Sequence, residues 1–516
     1  MKFNRSSGIL LHPSSFPGPD GIGDLGPEAF RWINFLSETG CSLWQILPLG
    51  PTGYGDSPYQ CFSAFAGNPY LISPVLLFED GLLSRSDLEE RPSFPSDRVD
   101  FGAVIPWKLN LLDKAFQNFK NSNLPEIKKE FETFTKCEED WLDDFTLFMA
   151  IKEREGGVSW KDWAAPFRQR DPETLNKFRN SNVETIQRHA FRQYLFFKQW
   201  QNLRAYANEK GIRIIGDIPI FVAYDSADAW SHPELFYLDK KGLPTVVAGV
   251  PPDYFSPTGQ LWGNPLYRWD AHKKTGFQWW IKRVQATLKT VDIIRMDHFR
   301  GFAGYWEVPA EMPTAEIGKW MPGPGADIFE AIKNTLGELP IIAEDLGFIT
   351  PDVVEIQEKF ELPGMRIFQF AFSTGPDDSF LPHNYPENCV SYTGTHDNDT
   401  ALGWYRSAPE WERDFCRRYL ARSGEDISWD MIRAVWSSVA VFALAPMQDV
   451  LSLDTHARMN FPGRPSGNWV WRMRPDVYSS VITIRLREMN RLYSRFFPKE
   501  EKKPAVRDPN EPQYFL

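Results

Sequence analysis

Carboxyl groups follow several of the short apolar runs of this 516-residue chain, at the point where each run ends. The four acids in such positions are Asp217, Asp297, Glu344 and Asp397. A single acid after a strand is commonly a helix N-cap or one half of a salt bridge. Four acids converging on one cleft would repel each other, which favours a use in catalysis. Two carboxyl groups about 5–5.5 Å apart can cleave a glycosidic bond with retention, one as nucleophile and one as acid/base.

The neighbours of these acids suggest different roles for them. Arg295 precedes Asp297 by two residues, on the same face of a strand, so its guanidinium can hold that carboxylate ionised, as a nucleophile requires. Glu344 ends an apolar run, and apolar surroundings would raise its pKa, as an acid/base requires. His396 directly precedes Asp397, and this pair fits hydrogen bonds to sugar hydroxyls.

Eight apolar runs can position these acids. Most of them are continuous rather than alternating, which is typical of parallel strands covered on both faces. The predicted strands are 8–12, 43–47, 212–220, 292–296, 339–343, 365–370, 389–393 and 439–445. Helical stretches separate them, for instance the one that Pro27 opens and Gly40 ends. The alternation predicts a (β/α)8 barrel, with its chemistry at the carboxyl ends of the strands, and leaves a doubly wound open sheet as the alternative.

The spacing of the strands predicts two insertions in one catalytic barrel domain that spans 1–516. The second and third strands are about 160 residues apart, far more than one crossover needs, so 75–205 is predicted to be a largely helical insert. Residues 223–275 are rich in Pro, Gly and aromatic residues and are predicted to be a loop-rich insert. The segment 477–497 is predicted to be a closing helix, and the last fifteen residues a tail.

Composition excludes several classes of protein. A net charge of −11 and a pI near 5.4 argue against a nucleic-acid partner, which would need a basic surface. No apolar window approaches the ~18 residues of a membrane span, and we expect no signal peptide. Five cysteines at wide spacings suit a reducing compartment, the cytoplasm or the plastid stroma of a plant. The 20 tryptophans are an unusual number and suggest a ligand with flat, partly apolar faces, such as a sugar.

A glycine-rich motif at 21–26, GIGDLG, matches the dinucleotide fingerprint. Three prolines separate it from the preceding strand, and the next strand lacks the acid that the fingerprint requires, so we interpret it as a turn. The sequence has no Walker loop, no H-E-x-x-H and no C-x-x-C. We therefore expect neither a metal ion nor an organic cofactor.

A set of longer motifs carries a resemblance that covers almost the whole chain. The motifs are GDSPYQ at 55–60, GDIPI at 216–220, AGVPPDYF at 248–255, LWGNP at 261–265, RMDHFRG at 295–301, AEDLG at 343–347, THDN at 395–398, NFPG at 460–463 and GNW at 467–469. Each motif alone is weak, but the set in this order is highly specific. It closely resembles the amylomaltases, the disproportionating 4-α-glucanotransferases of glycoside hydrolase family 77.

The resemblance implies roles for individual residues. Asp297 would be the nucleophile, Glu344 the acid/base and Asp397 the transition-state stabiliser. The residues expected to contact these acids or the glucan are Arg295, His396, Asp217, Tyr59, Trp262 and Asn468. The loop around Tyr254 resembles the family's lid over the acceptor side. The family is a barrel with inserted subdomains and uses no metal or organic cofactor.

The expected activity is transfer of α-1,4-glucan segments from one maltodextrin to a 4-hydroxyl of another glucan or of glucose. Maltodextrins and glucans derived from starch or glycogen are the expected donors, and glucose is an expected acceptor. An α-amylase-like hydrolase is the alternative, because the same acids serve both reactions. A non-catalytic glucan-binding protein would be favoured by loss of one of the three acids, and all are present. An aldolase-type barrel would need a lysine at a strand end, which the predicted strands do not offer.

Overall fold

The protein is seen in a computed structural model that describes residues 3–252, 256–464 and 466–496. These residues form twelve β-strands: β1 (Ser6–Leu10), β2 (Leu43–Gln45), β3 (Arg213–Ile218), β4 (Val246–Val250), β5 (Gln260–Pro265), β6 (Ile293–Met296), β7 (Gly304–Pro309), β8 (Lys319–Pro322), β9 (Ile341–Ala343), β10 (Gly364–Ile367), β11 (Cys389–Tyr392) and β12 (Phe442–Pro446).

The same part of the chain forms nineteen α-helices: α1 (Pro27–Thr39), α2 (Pro74–Glu79), α3 (Arg85–Glu89), α4 (Phe101–Asn121), α5 (Pro125–Cys137), α6 (Glu139–Arg154), α7 (Ala165–Arg168), α8 (Pro172–Ser181), α9 (Val183–Glu209), α10 (Ala227–Ser231), α11 (Trp269–Lys274), α12 (Gln278–Thr290), α13 (Ala326–Leu336), α14 (Pro351–Phe360), α15 (Ala401–Ser407), α16 (Glu410–Leu420), α17 (Ile427–Ser437), α18 (Met447–Val450) and α19 (Ser480–Leu492). Pro27 opens α1 and Gly40, at φ 77°, ends it, as the sequence predicted.

Eight strands pair in parallel and curl into a nearly closed barrel. Their order is β10-β11-β12-β1-β2-β3-β6-β9, and every pairing in this sheet is parallel. The two end strands meet where the backbone N–H of Ala343 donates to the carbonyl of Pro363 at 2.9 Å. Each of the eight predicted strands overlaps one of these. The predicted (β/α)8 barrel is therefore confirmed, and the open sheet is excluded.

Side chains of alternate strand residues fill the barrel. The residues that share this inner layer are Leu43, Ile215, Ile293, Ile342, Met365, Ile367, Val390, Tyr392, Phe442 and Leu444. The outer faces of the strands pack against the helices, so both faces are apolar, as the unbroken apolar runs indicated. β1 contributes Gly8, where a Cβ atom would lie only 2.3 Å from the Leu43 carbonyl oxygen. Glycine therefore lets β1 and β2 approach closely.

Two further regions lie outside the barrel. The stretch between β2 and β3, which includes the predicted insert 75–205, contains helices α2 to α9. A second, antiparallel sheet has the order β5-β4-β7-β8. Two of its strands, β4 and β5, fall within 223–275, for which the sequence suggested loops, and the other two follow β6. The division of the chain into one barrel and two inserts stays a prediction.

The carboxyl-terminal part of the described chain is helical. The predicted closing helix 477–497 corresponds to α19, which covers Ser480–Leu492. The expected tail, the last fifteen residues, lies outside the described residues. Among the helices that the structure describes, none combines the length and the apolar content needed to cross a membrane.

Candidate active site

The inward-facing side chains become polar at the carboxyl ends of the barrel strands. Residues two apart on a strand point to the same face, so the inward-facing residue next to the apolar layer can be polar. The buried members of this polar layer are Gln45, Asp217, Arg295, Glu344 and Tyr392. The hydroxyl of Tyr392 donates to the side-chain oxygen of Gln45 across the barrel at 2.8 Å. The polar layer thus lies at the end of the barrel where the chemistry of this fold is found.

Arg295, at the centre of this layer, connects two of the acids. One of its terminal nitrogens donates to Asp217 and the other to Asp297, the latter at 2.9 Å. Its Nε lies 3.4 Å from the Sδ of Met365 on β10. Burial alone would lower the pKa of Arg295, but Asp217 and Asp297 outweigh it and raise that pKa well above its ordinary value. The guanidinium is therefore a fixed positive charge between two carboxylates.

Asp297, one residue past β6, is the more accessible of these two carboxylates. Its side chain is 28% exposed to the cleft, whereas that of Asp217 is fully buried. Burial raises the pKa of Asp297 to about 6, and Arg295 opposes this rise. At neutral pH the carboxylate is ionised, oriented by a guanidinium and open on one side, which are the properties of a nucleophile.

Glu344 follows β9 and is buried beside Asp297. Its two carboxyl oxygens accept the backbone N–H groups of His298 at 2.7 Å and Leu346 at 2.9 Å. His298 has a left-handed backbone with φ 47°, part of the tight turn that follows Asp297. Burial, together with the charge of Asp297, raises the pKa of Glu344 to about 8 against the opposing effects of Arg295 and the two N–H groups. This carboxyl is therefore protonated at neutral pH.

Asp397, after β11, is the third acid of the mouth. Its carboxylate accepts a hydrogen bond from the side-chain amide of Asn460 at 2.6 Å and lies 3.3 Å from Nε2 of His396. Burial would raise the pKa of Asp397, but His396 and Asn460 outweigh burial, so the pKa lies well below its ordinary value. Asp397 is therefore ionised throughout the physiological range.

Aromatic rings form one wall of the mouth. Tyr59 stacks on His396 with ring centroids 5.1 Å apart and planes 15° apart, and Trp469 lies against both rings. The hydroxyl of Tyr59 donates to Asp217 at 2.6 Å, so Tyr59 joins the polar layer to this wall. An aromatic face beside three acids can stack on the flat face of a sugar ring.

The remaining residues predicted from the sequence lie at different depths. Trp262 on β5 packs its ring edge-to-face with His298 at 4.8 Å, next to Glu344. Asn468 uses both ends of its amide within its own loop, where it accepts from the N–H of Phe461 and donates to the carbonyl of Arg464, each at 2.9 Å. The next residue, Trp469, contacts the rings of Tyr59 and His396 in the wall of the mouth. Tyr254 lies outside the described residues.

The sequence did not single out four residues that the fold brings to this site: Asn460, Trp469, Met365 and His12. Asn460 and Trp469 belong to the motifs NFPG and GNW that carry the family resemblance, so the sequence could have identified them. His12 ends the first predicted strand, and burial together with the nearby His396 lowers its pKa to about 3. Met365 gave no signal, because its importance depends on the distance between β6 and β10 and not on its neighbours in the chain.

A cavity lies behind this wall, between β2, β3 and the helices α9 and α12. It reaches the polar layer through Tyr59 and Asp217, and it also contains Cys61 and Arg283. Burial raises the pKa of Cys61 to about 12, so the thiol stays protonated. The three acids that could act on a substrate are at the barrel mouth and not in this cavity.

The chemical capacity of the mouth follows from the spread of these pKa values. Asp397 ionises most readily, Asp297 has a pKa of about 6 and Glu344 one of about 8. Carboxyl groups whose environments push their pKa values apart can divide nucleophile and acid roles between them. Within the described ranges, no group of three or more His, Cys, Asp or Glu residues is arranged to hold a metal ion.

Comparisons with known proteins agree with this chemistry. A model of glycoside hydrolase family 77, described as 4-alpha-glucanotransferase, matches residues 11–479. A 4-alpha-glucanotransferase of Thermus thermophilus is 52% identical over 497 residues, covering 95% of this chain and 99% of that protein. A chloroplastic/amyloplastic 4-alpha-glucanotransferase of Solanum tuberosum is 46% identical over 476 residues, covering 91% of this chain and 82% of that protein.

A solved structure is similar over the same extent. The amylomaltase from Streptococcus agalactiae, in complex with acarbose, superposes with a TM-score of 0.93 at 42% sequence identity. The match covers 96% of this chain and all of the Streptococcus agalactiae chain.

Proposed function

The chain belongs to glycoside hydrolase family 77, the 4-alpha-glucanotransferases, and on this premise we propose that Asp297, Glu344 and Asp397 carry out the transfer by double displacement. The protein transfers segments of α-1,4-glucan between glucan chains. The proposal concerns how it does so: retention through a covalent glycosyl ester of Asp297. The observation that carries it is that Arg295 donates hydrogen bonds to both Asp217 and Asp297, and that the neighbouring carboxyl group of Glu344 has a higher pKa than Asp297.

In the first half-reaction, a carboxylate oxygen of Asp297 attacks the anomeric carbon. The glycosidic C–O bond breaks, and the protonated Glu344 gives its proton to the departing oxygen. The shortened dextrin leaves with that proton, and the glycosyl group remains as an ester of Asp297. Asp397 stays ionised and can hold the sugar hydroxyls while positive charge develops at the anomeric carbon.

In the second half-reaction, Glu344 is a carboxylate and acts as the base. It takes the proton from the 4-hydroxyl of the acceptor while that oxygen attacks the anomeric carbon. The ester bond breaks, the new glycosidic bond forms, and Asp297 is again a carboxylate. Glu344 ends protonated, so the cycle returns both acids to their starting states.

Trapping of the ester tests this assignment. A fluorinated maltosyl fluoride, whose ring fluorine slows the second half-reaction, should label the protein once per chain. Peptide mapping should find the label on Asp297, and Asp297→Asn should take up none. A label on any other carboxyl group would overturn the assignment.

We further infer that maltodextrins and glucans derived from starch or glycogen are the donors and that glucose is among the acceptors. The amylomaltase from Streptococcus agalactiae was solved in complex with acarbose, and this supports an oligosaccharide ligand for the present chain. Incubation with maltotriose alone should yield glucose and a ladder of longer dextrins on chromatography. Glucose and maltose without longer products would indicate hydrolysis instead.

The proposed location is a reducing compartment, the cytoplasm or a plastid stroma. All five cysteines are unpaired, and three of them are buried, as suits a protein kept reduced. The net charge of −11 supports the absence of a nucleic-acid partner. Fractionation of the source cells, with the protein detected by an antibody, tests the location.

A further inference from the structure

The turn after Glu344 presents an aromatic side chain to solvent. The ring-bearing residue is Phe348, which is 75% exposed. Leu346, two residues earlier, is anchored through its N–H to a carboxyl oxygen of Glu344 at 2.9 Å. Two residues span at most about 7 Å, so the backbone of Phe348 stays close to the anchored Leu346. Gly347, at φ 87°, makes the turn between them.

A second exposed ring lies beside this turn. Trp320 on β8 is 44% exposed, and the guanidinium of Arg300 lies 3.9 Å from the centre of its ring. The same guanidinium donates to the carbonyl of Phe348 at 2.7 Å. Arg300 itself is buried and comes from the turn that follows Asp297. One fixed cation therefore holds the Phe348 turn against the second sheet.

Single exposed apolar side chains are common, so exposure alone would mean little. The placement of these two rings is what distinguishes them. Both belong to segments that adjoin the reacting acids: the Phe348 turn begins at Glu344, and β8 pairs with β7, which begins seven residues after Asp297. A rigid turn that holds an aromatic ring in water costs hydration free energy, which a ligand stacked on the ring would recover.

We propose that Phe348, with Trp320 beside it, forms a stacking site for the sugar units of the acceptor glucan beyond the one that reacts. The inference rests on the proposed function, in which Glu344 gives and takes the proton of the oxygen on the leaving and acceptor side. The turn that starts at Glu344 therefore adjoins that side of the cleft. The ligand class is an α-1,4-glucan of two or more units, since glucose alone ends before it reaches the ring.

The proposal predicts different effects on the KM for long acceptors and on the KM for glucose. Loss of the Phe348 ring should weaken only acceptors that extend past the reacting unit. We expect Phe348→Ala to raise the KM for maltotriose as acceptor by about fivefold, the order of one aromatic stacking contact, while the KM for glucose is unchanged. Trp320→Ala should raise the maltotriose KM by a smaller factor, because Arg300 already covers part of its ring.

The experiment uses the full-length protein with α-maltosyl fluoride as a constant donor and glucose, maltose or maltotriose as acceptor. Fluoride release reports the first half-reaction, and chromatography of the products reports the second. Phe348→Tyr keeps the flat ring and should keep the wild-type dependence on acceptor length, whereas Phe348→Val should behave like the alanine variant. Trp411→Ala, an exposed tryptophan on α16, is the matched surface control and should change nothing. Melting curves establish that each variant is folded.

The outcomes are distinguishable. An unchanged ratio of maltotriose KM to glucose KM in Phe348→Ala and Phe348→Val overturns the stacking site and leaves the proposed function intact. A wild-type protein that releases fluoride but forms no transfer product with any acceptor contradicts the proposed function instead. An equal loss with glucose and with maltotriose would mean that the turn only positions Glu344, which also overturns the stacking site.

Discussion

Two groups of charged residues in this protein, each partly buried, differ in what balances their charges. The first group, the proposed catalytic cluster at the barrel mouth, consists of Asp217, Arg295, Asp297, Glu344 and Asp397. Four of its five members are acids, and two of those have raised pKa values of about 6 and about 8. Its one arginine bridges Asp217 and Asp297, and Asp297 and Asp397 are both exposed to the cleft, so like charges remain close together beside an opening.

The second group, the amino-terminal charge cluster, consists of Asp20, Asp24, Arg91, Lys108 and Arg472. It contains a raised pKa as well, since burial raises that of Asp24 to about 7 while Lys108 opposes the rise. Here the cations outnumber the acids, and backbone carbonyls accept hydrogen bonds from Lys108 and Arg472. Lys108 is fully buried, lies 3.8 Å from Asp24 and donates to the carbonyl of Ile72 at 3.0 Å.

The comparison teaches that a raised pKa by itself does not identify a catalytic site. Asp24 belongs to the glycine-rich turn at 21–26, and its cluster joins that turn to α4 and to the chain around Arg472, which donates to the carbonyl of Gly18 at 2.8 Å. Burial shifts the pKa in both places. What distinguishes the mouth is an excess of one charge sign together with access to a ligand, which is costly for folding and useful for chemistry.

The largest expected effect is on the catalytic cluster. Asp297→Asn should lower kcat by about 10⁴-fold or more, because the amide cannot form the glycosyl ester. Its melting temperature should stay within a few degrees of wild type, since one of several repelling charges is removed. Asp352→Asn, an exposed acid on α14, is the control and should keep full activity. A marked loss of stability in Asp297→Asn would contradict the view that the acids at the mouth serve chemistry and do not stabilise the fold.

Glu344→Gln should lower the rate with maltotriose by about 10²- to 10⁴-fold, because both half-reactions lose their proton transfer. A donor with fluoride as leaving group needs no acid, so its first half-reaction should recover. Release of fluoride in a burst, followed by slow transfer, is the expected time course. Near wild-type turnover of maltotriose by this variant would remove Glu344 from the acid/base role.

Lys108→Met should act on stability and not on chemistry. Removing the cation leaves Asp24 buried without its partner, and the free energy of unfolding should fall by about 3 kcal/mol. Urea denaturation measures this change, while kcat per folded molecule should stay at the wild-type value. Lys120→Met, on the same helix but in an exposed pair with Glu184, should change stability by less than about 1 kcal/mol. A fall in kcat in Lys108→Met would contradict the separation of the clusters.

The pH dependence of the first half-reaction should reflect the two raised pKa values of the mouth. Asp297 must be ionised, so kcat/KM with maltotriose should fall as pH drops below about 6. Glu344 must be protonated, so kcat/KM should also fall as pH rises above about 8. The two limbs belong to the coupled pair and not to either residue alone. With α-maltosyl fluoride the high-pH limb should vanish, and its persistence would show that another group causes it.

The smallest expected effect is that of metal removal. Dialysis against EDTA should change neither the transfer rate nor the melting temperature, because the described residues contain no group of three or more His, Cys, Asp or Glu residues arranged to hold a metal ion. Activity assays and melting curves before and after dialysis check this. A fall that Ca²⁺ restores would reveal a bound cation in one of the clusters and would favour the amylase-like alternative.

Much of the fold was predictable from local patterns. Eight apolar runs, several of them followed by an acid, predict parallel strands and so a barrel with acids at its mouth. The placement of Arg295 and Asp297 on one strand face follows from the period of two alone. The second sheet was missed because β4 and β5 both contain glycine and β5 ends in proline. The pairing that stabilises β4 is with β7, which lies beyond another barrel strand.

The sequence by itself determined which acids follow the barrel strands and that Arg295 accompanies one of them, because strand periodicity and loop position depend on neighbours in the chain. Only the tertiary structure decided how those groups differ. Arg295 reaches Met365 and Asp217 through the order in which distant strands meet, and Asn460 reaches Asp397 from a loop 63 residues away. The pKa values of Asp297 and Glu344 depend on burial and on charges brought close by folding. Such distances depend on how the whole barrel closes, and no local pattern of residues encodes them.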